Sequence, residues 1–187
     1  MISIHCSYWH NFRIYRSRMT VTVRRAEPGD VPAITVIYNE AILTTEASFD
    51  TEPKTLEEQD AWFSRHDSCH PIMVAEQDGA ITGWASLSDW SDRCAYANTA
   101  EISLYVKEEY RGMGTGRKLM EAIIREGQKA GLHAVIARIV AGNDISIHLH
   151  ESFGFEHVGI MREVGWKFGR LLDVVLMQKL YPSLKSY

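Results

Sequence analysis

Six residues near the middle of the chain, Arg111-Gly112-Met113-Gly114-Thr115-Gly116, are the ones whose types and spacing most clearly suggest chemistry. Glycines lack a β-carbon, so backbone N–H groups in such a run can approach an anion closely. The run lies between an alternating segment, Thr99 to Val106, and a segment with Leu119, Met120, Ile123 and Ile124 at helical spacing. A strand-to-helix junction aims the positive end of the helix at the anion. Arg117 and Lys118 follow in the first helical turn, where they can reach further phosphate. Pyrophosphate binding is the chemistry these residues suit, with an ordinary tight turn as the alternative. A dinucleotide-binding GxGxxG would need a third glycine at a position where this chain has none. A P-loop would need GK[ST] after the run, and none follows.

The flanking elements must position that loop. Ala100, Ile102, Leu104 and Val106 alternate with Glu101, Ser103 and Tyr105, the pattern of a strand with one apolar face. Glu101 is then on the polar face, and is expected beside the strand end that meets the glycine loop. Gly131 ends the helix after the loop, and Ala134 to Val140 reads as a buried strand. A short helix from about Asn143 to Phe153 would put Asn143, Ser146 and His150 on one side, since positions i, i+3 and i+7 align. Earlier in the chain, Thr20 to Arg25 reads as a strand and Asp30 as the cap of a helix through about Leu43. Thr55 and Glu58 form a capping-box pattern for a helix ending near Arg65. Pro71–Glu76 and Ala80–Ser88 suit a hairpin around Asp78-Gly79. Two last strands are expected near Glu156–Val164 and Leu171–Lys179. Strands and helices alternate around one mixed sheet, so the class is α/β or α+β in one domain.

Composition sets limits. With 187 residues, 45% hydrophobic and 24% charged, the chain suits one soluble domain with a real core. No apolar run is long enough for a membrane span. A net charge of -4 argues against nucleic acid, which needs a clustered basic face. Cys6, Cys69 and Cys94 are far apart and never in a CxxC pair, which suits a reducing cytoplasm rather than a disulfide framework or a zinc site. His148-x-His150 has no third ligand spaced to join it, so no metal is expected. Residues 1–18 hold three arginines and no acid, without a continuous apolar stretch. They are expected to be an extension outside the domain, which would span 19–187.

The loop and the later stretch Asn143-Asp144-Ile145-Ser146-Ile147-His148-Leu149-His150-Glu151-Ser152-Phe153-Gly154-Phe155 together resemble the GNAT acetyltransferase superfamily. Its Arg/Gln-x-x-Gly-x-Gly/Ala signature matches Arg111, Gly114 and Gly116. The closer resemblance is to the phosphinothricin and methionine-sulfoximine acetyltransferase branch. Tyr38-Asn39-Glu40-Ala41, Arg93 with Tyr96, Thr99-Ala100-Glu101, Leu149-His150-Glu151 and the stretch Gly165 to Arg170 with Asp173 and Val174 carry it. One departure is visible. Other members have a Trp-Arg-x-Phe-like loop where this chain has Trp90-Ser91-Asp92-Arg93, which leaves the acceptor's identity open.

The resemblance implies a single GNAT-like domain with a central mixed, mostly antiparallel twisted sheet flanked by helices. It implies direct transfer of an acetyl group from acetyl-CoA to the amino group of a small amino-acid analogue, a detoxifying reaction. No cysteine in the motif segments offers an acyl-enzyme route. Backbone groups of Leu104, Tyr105 and Val106 would pair with the pantetheine arm, and residues Arg111 to Arg117 would hold the pyrophosphate. Asn143 and Ser146 would also contact the cofactor, Asn143 alternatively serving as a helix N-cap. Glu101 is implied as the base and His150 as the acid that protonates the leaving thiolate. Arg93 would hold an acceptor carboxylate, with Tyr96, Glu101 and Ser103 around it. Phe49, Trp84 and Trp90 could wall the acceptor pocket or belong to the core. A homodimer is likewise implied. The rival readings are acetylation of another amine (a polyamine, an aminoglycoside or a protein N-terminus) and a non-catalytic acyl-CoA sensor.

Overall fold

In the computed structural model residues 20–182 are described, so the expectations for residues 1–18, for Met19 and for Cys6 lie outside them. Among the described residues one sheet has seven strands: β1 (Thr22–Arg25), β2 (Ile72–Gln77), β3 (Ala80–Asp89), β4 (Thr99–Val106), β5 (Ala134–Val140), β6 (Glu156–Lys167) and β7 (Arg170–Leu180). Four α-helices accompany it: α1 (Val31–Thr44), α2 (Leu56–Ser64), α3 (Thr115–Lys129) and α4 (Asp144–Glu151). The spatial order is β1-β2-β3-β4-β5-β7-β6. Every neighbouring pair is antiparallel except β4 and β5, which run parallel. The mixed, mostly antiparallel α/β domain that the sequence implied is what the chain forms.

Local chemistry explains the boundaries. Asp78 and Gly79 both take positive φ, 53° and 77°, the backbone of a tight hairpin turn matched to strand twist. At α2 the Thr55 hydroxyl accepts from Glu58 N–H at 3.2 Å and the Glu58 carboxylate accepts from Thr55 N–H at 2.8 Å. Asp30 departs from its expected role. It stands at the N-cap of α1 without capping it, because its carboxylate accepts from Arg24 at 2.7 and 2.9 Å and from Glu27 N–H at 2.8 Å. That bidentate pair holds the Asp30 carboxyl below the usual carboxylate range. The last hairpin is longer than its apolar pattern suggested, because Phe168 and Gly169 also take positive φ and close it tightly.

The alternation in β4 sorts the core. Ala100 and Ile102 join Leu119, Met120 and Ile123 of α3 and Val135, Ala137 and Ile139 of β5 in one buried cluster. Tyr105, from the opposite face, packs against the cluster of Ile34, Ile37, Ile72, Val74 and Trp84 beneath α1. β4 is held close to β3 at its C-terminal end, where Gly83 faces Val106. A β-carbon on Gly83 would lie 2.8 Å from the Tyr105 carbonyl oxygen.

Gly83→Ala should therefore lower stability by roughly 1–3 kcal/mol, because the atom it meets is backbone and cannot rotate away. Urea unfolding measures it, and an unchanged midpoint would show that β3 and β4 part there at no cost.

Candidate active site

The parallel pairing of β4 and β5 covers only three residues on each side, Thr99–Glu101 against Ala134–Ile136. Beyond that, β5 stays with β7 to Val140 and β4 stays with β3 to Val106. The two strands separate, and a cleft of about 470 Å³ opens between them. Leu104 and Tyr105 line it from β4, Ala137 to Val140 from β5, and Asn143, Ser146 and His150 from α4 and its cap. Backbone groups on a strand edge that has lost its neighbour need other partners. An extended ligand rich in amides can supply them as an added strand would.

The glycine loop stands at the wide end of this opening. Gly112 and Gly114 take φ of 72° and 87°, a region that favours glycine, and a β-carbon on either would meet nothing within 4 Å. Gly114 is the N-cap of α3 and has no side chain with which to cap it, so the first-turn N–H groups are left for an anion. The exposed Arg117 stacks on Phe153, 5.1 Å from the ring centre. Arg111 donates to the Val106 carbonyl at 3.0 Å. Lys118, expected to reach phosphate, donates through its ammonium to the Val21 carbonyl at 2.8 Å. The residues present fit a pyrophosphate.

Glu101 stands at the narrow end. It is five positions before Val106, about 17 Å along the strand, so it is not beside the loop. Both its oxygens are engaged by Arg138 of β5, Nε to Oε1 at 2.6 Å and Nη2 to Oε2 at 2.7 Å. The Trp90 ring lies 5.8 Å from the Arg138 guanidinium carbon. His150 is 5% exposed and packs edge-on against Phe155. Its Nδ1 is 2.8 Å from the Ser146 carbonyl, an acceptor only, so that nitrogen carries a proton. Burial pushes the imidazole below its ordinary value, so at neutral pH the ring is uncharged and Nε2 has a lone pair. Asn143 caps α4 by accepting from Ser146 N–H at 3.2 Å, and it also lines the cleft.

The segment 46–50 forms a further wall of the cleft. Lys167 donates to the Ser48 carbonyl at 2.6 Å, Arg170 pairs with Glu46, and the Tyr38 hydroxyl donates to Asp50 at 2.6 Å. Burial raises the Tyr38 and Tyr105 phenols, Tyr105 up to about 12, so neither is a phenolate near neutral pH. Phe49 lines the cleft and Ser103 shares its wall, whereas Trp84 belongs to the core. Arg93 and Tyr96 are exposed on the 90–98 loop and are not among the residues that line the cleft. His148 and His150 diverge, one exposed and one buried. Arg138 and the 46–50 segment other than Phe49 were not singled out from the sequence. Arg138 was visible as the single charge in the run Ala134 to Val140, whereas nothing but the aromatic ring of Phe49 distinguishes residues 46–50.

Comparison with known proteins agrees with this geometry. The model of the acetyltransferase (GNAT) family matches residues 34–155. The chain is 41% identical over 162 residues to the L-methionine sulfoximine/L-methionine sulfone acetyltransferase of Pseudomonas aeruginosa, covering 86% of this chain and 94% of that one. It is 39% identical over 159 residues to an L-amino acid N-acyltransferase of Escherichia coli, covering 84% and 92%. The structure of the Salmonella typhimurium yncA protein with its cofactor acetyl-CoA superposes with a TM-score of 0.86 at 37% identity, over 90% of this chain and 98% of that one.

Gly114→Val should abolish CoA binding in calorimetry. A branched side chain is strained at φ 87° and would project into the open space that phosphate oxygens need. Unchanged affinity would show that the loop is only a turn.

Proposed function

The chain belongs to the GNAT acetyltransferase family, and from that premise we propose that it transfers an acetyl group from acetyl-CoA to the α-amino group of a small amino acid or analogue. The observation that carries the reading is the cleft itself. Its cofactor end offers backbone and a helix N-terminus, and its other end offers a carboxylate, Glu101, within reach of an amine. The relatives' acceptors, L-amino acids and methionine sulfoximine or sulfone, set the substrate class.

Acetyl-CoA is the acetyl donor. Its pyrophosphate would lie against Arg111 to Arg117 and its pantetheine arm along the free edge of β4 at Leu104 to Val106, near Asn143 and Ser146. The acceptor enters as an ammonium and must lose two protons in becoming an amide. Glu101 takes the first, directly or through water, which frees the nitrogen lone pair for attack on the thioester carbonyl. His150 Nε2 takes the second from the tetrahedral adduct and passes it to the departing sulfur. The thiolate therefore leaves as a thiol, and one proton goes to solvent. Because Nδ1 is fixed on Ser146, Nε2 must accept before it can donate. His150 thus acts as a relay and not as a standing acid.

Several finer expectations belong to the same proposal. Val158, Ile160, Val164, Trp166, Phe168 and Leu171 are each more than half exposed on the β6–β7 hairpin, an apolar face that supports a homodimer. Cysteine usage supports the cytoplasm as its place, and among the described residues no helix is long and apolar enough to cross a membrane. Removal of a toxic amino-acid analogue is the role this activity would serve.

Thiol release from acetyl-CoA, measured across a panel of amines, tests the function. Release with L-methionine sulfone and related amino acids is expected. Release only with polyamines or aminoglycosides would replace the acceptor class, and binding without release would indicate a sensor. A pH profile tests the relay. With the His150 imidazole below its ordinary value, kcat should be flat above about pH 6.5 and fall only in acid, as Nε2 becomes protonated. His150→Phe should lower the plateau by ~10²-fold or more. An alkaline fall centred near the ordinary imidazole value would mean instead that the protonated ring is the working form.

A further inference from the structure

β5 is apolar at every position but one, and the exception stands where the cleft begins. Ile136 is the last β5 residue paired with β4, opposite Glu101. Arg138 is two positions further, on the same face of β5, at the first step where the strands have parted. Its guanidinium has five N–H donors and gives two of them to Glu101, which leaves three, both on Nη1 among them. The Trp90 ring supports it at 5.8 Å.

The charges around the cleft make this arginine distinctive. Glu46, Asp50 and Glu101 line it, and Arg138 is the only lysine or arginine among the described residues that do. Glu46 is occupied by Arg170, and Asp50 by Lys54 at 3.2 Å and the Tyr38 hydroxyl. An acceptor with a carboxylate therefore meets three acids and one cation. Arg93, the residue the sequence favoured for that carboxylate, is out on the surface loop.

We infer that Arg138 is the specificity-determining residue that anchors the acceptor's α-carboxylate, while Glu101, which it positions, faces the α-ammonium. A free α-amino acid is a zwitterion with its two charges on adjacent groups. The Glu101–Arg138 pair presents the opposite charges side by side, so the two align head to tail with each charge against its opposite. Planar N–H pairs on the guanidinium match a carboxylate in a way that a lysine's point charge does not. A simple amine would meet the same Glu101 and gain nothing from Arg138. The inference rests on the amino-acid reading above and adds to it the group that enforces the class.

The competing account is an ion pair that only ties β4 to β5 where they part, and partly exposed pairs of that kind contribute little. The two accounts separate on one ratio. kcat/KM is measured for L-methionine sulfone and for its α-carboxamide, in the wild type, Arg138→Met, Arg138→Lys and Arg93→Ala. Arg138→Met is expected to lose on the order of 10²-fold on the acid, mainly through KM, and less than about threefold on the carboxamide. Any disturbance of Glu101 as a base affects both acceptors and cancels in the ratio. Arg138→Lys should recover part of the loss, and Arg93→Ala should leave the ratio unchanged. CoA affinity by calorimetry, unaltered in Arg138→Met, confirms that the variant is folded. Equal losses on acid and carboxamide, or no loss on either, would overturn the assignment while leaving the acetyltransferase reading intact. If the wild type turns over neither compound but does acetylate other amines, the amino-acid reading itself fails and the arginine's role goes with it.

Discussion

The organising constraint in this molecule is that β4 and β5 cannot stay together. Each is bound on its far side by a longer antiparallel partner, β4 by β3 over seven rungs and β5 by β7 over seven, against three between themselves. A parallel pair is slightly weaker per residue than an antiparallel one, so when the sheet twists it is this pair that opens. Opening leaves backbone donors and acceptors without partners in the middle of a sheet, which a buried structure does not tolerate without compensation. A ligand with amides along its length is such a compensation. The cleft and the need to fill it have a single cause, and Gly83 contributes by letting β4 lie close against β3.

The two ends of the opening use different physics. At the loop end the interactions are those of main chain: positive-φ glycines, uncapped N–H groups and a helix dipole. Groups of that kind suit a charge and a shape and depend little on side chains. The other end is built of side chains drawn from four separate places. Glu101 comes from β4, Arg138 from β5, the 46–50 segment from the α1–α2 connection, and its fastenings Lys167 and Arg170 from the β6–β7 hairpin. Gly165 is part of that fastening, since a β-carbon there would lie 2.3 Å from the Phe49 ring. Lys167 is 4% exposed, and burial lowers its ammonium below the usual lysine range while Asp50 and Glu46 act to raise it. Its bond to the Ser48 carbonyl fixes the wall at a position where a freely hydrated cation would not stay.

That division explains what could be read from the sequence. The loop, its helix, β4, β5 and the Asn143 cap are all local: glycine placement, alternation and capping chemistry act over a few residues, and the boundaries of β4 and β5 match their apolar patterns. The Glu101–Arg138 pair spans 37 positions and exists only because β4 and β5 run parallel in one particular register. Alternation placed Glu101 on the polar face, but it could not tell who its partner was. Asp30 shows the same limit on a small scale. Its position suits a cap, yet a nearby arginine on β1 outbids the helix N–H groups for its carboxylate. Arg93 was favoured because Arg93 with Tyr96 resembles the branch even though the loop itself departs from the other members, and resemblance in a surface loop says least about where a side chain ends up.

The separation also bears on how such a site can change acceptor. A cofactor subsite made of backbone is altered only by changes that disturb the chain path, as at Gly114. The acceptor subsite can be rewritten one side chain at a time without touching the sheet. In this chain each of the three acids has a cationic partner, but only that of Glu101, Arg138, lines the cleft beside it. Three acids and one arginine would hold a polycation at several places, but would hold a single α-amino acid at one, where opposite charges are adjacent. An acidic cleft is by itself an argument for cationic amines. The Glu101–Arg138 pair would change that argument, because it would offer an acceptor's ammonium and carboxylate a partner each at one end of the cleft. The net charge of the domain therefore says little about the acceptor, and the local arrangement of two side chains says a good deal.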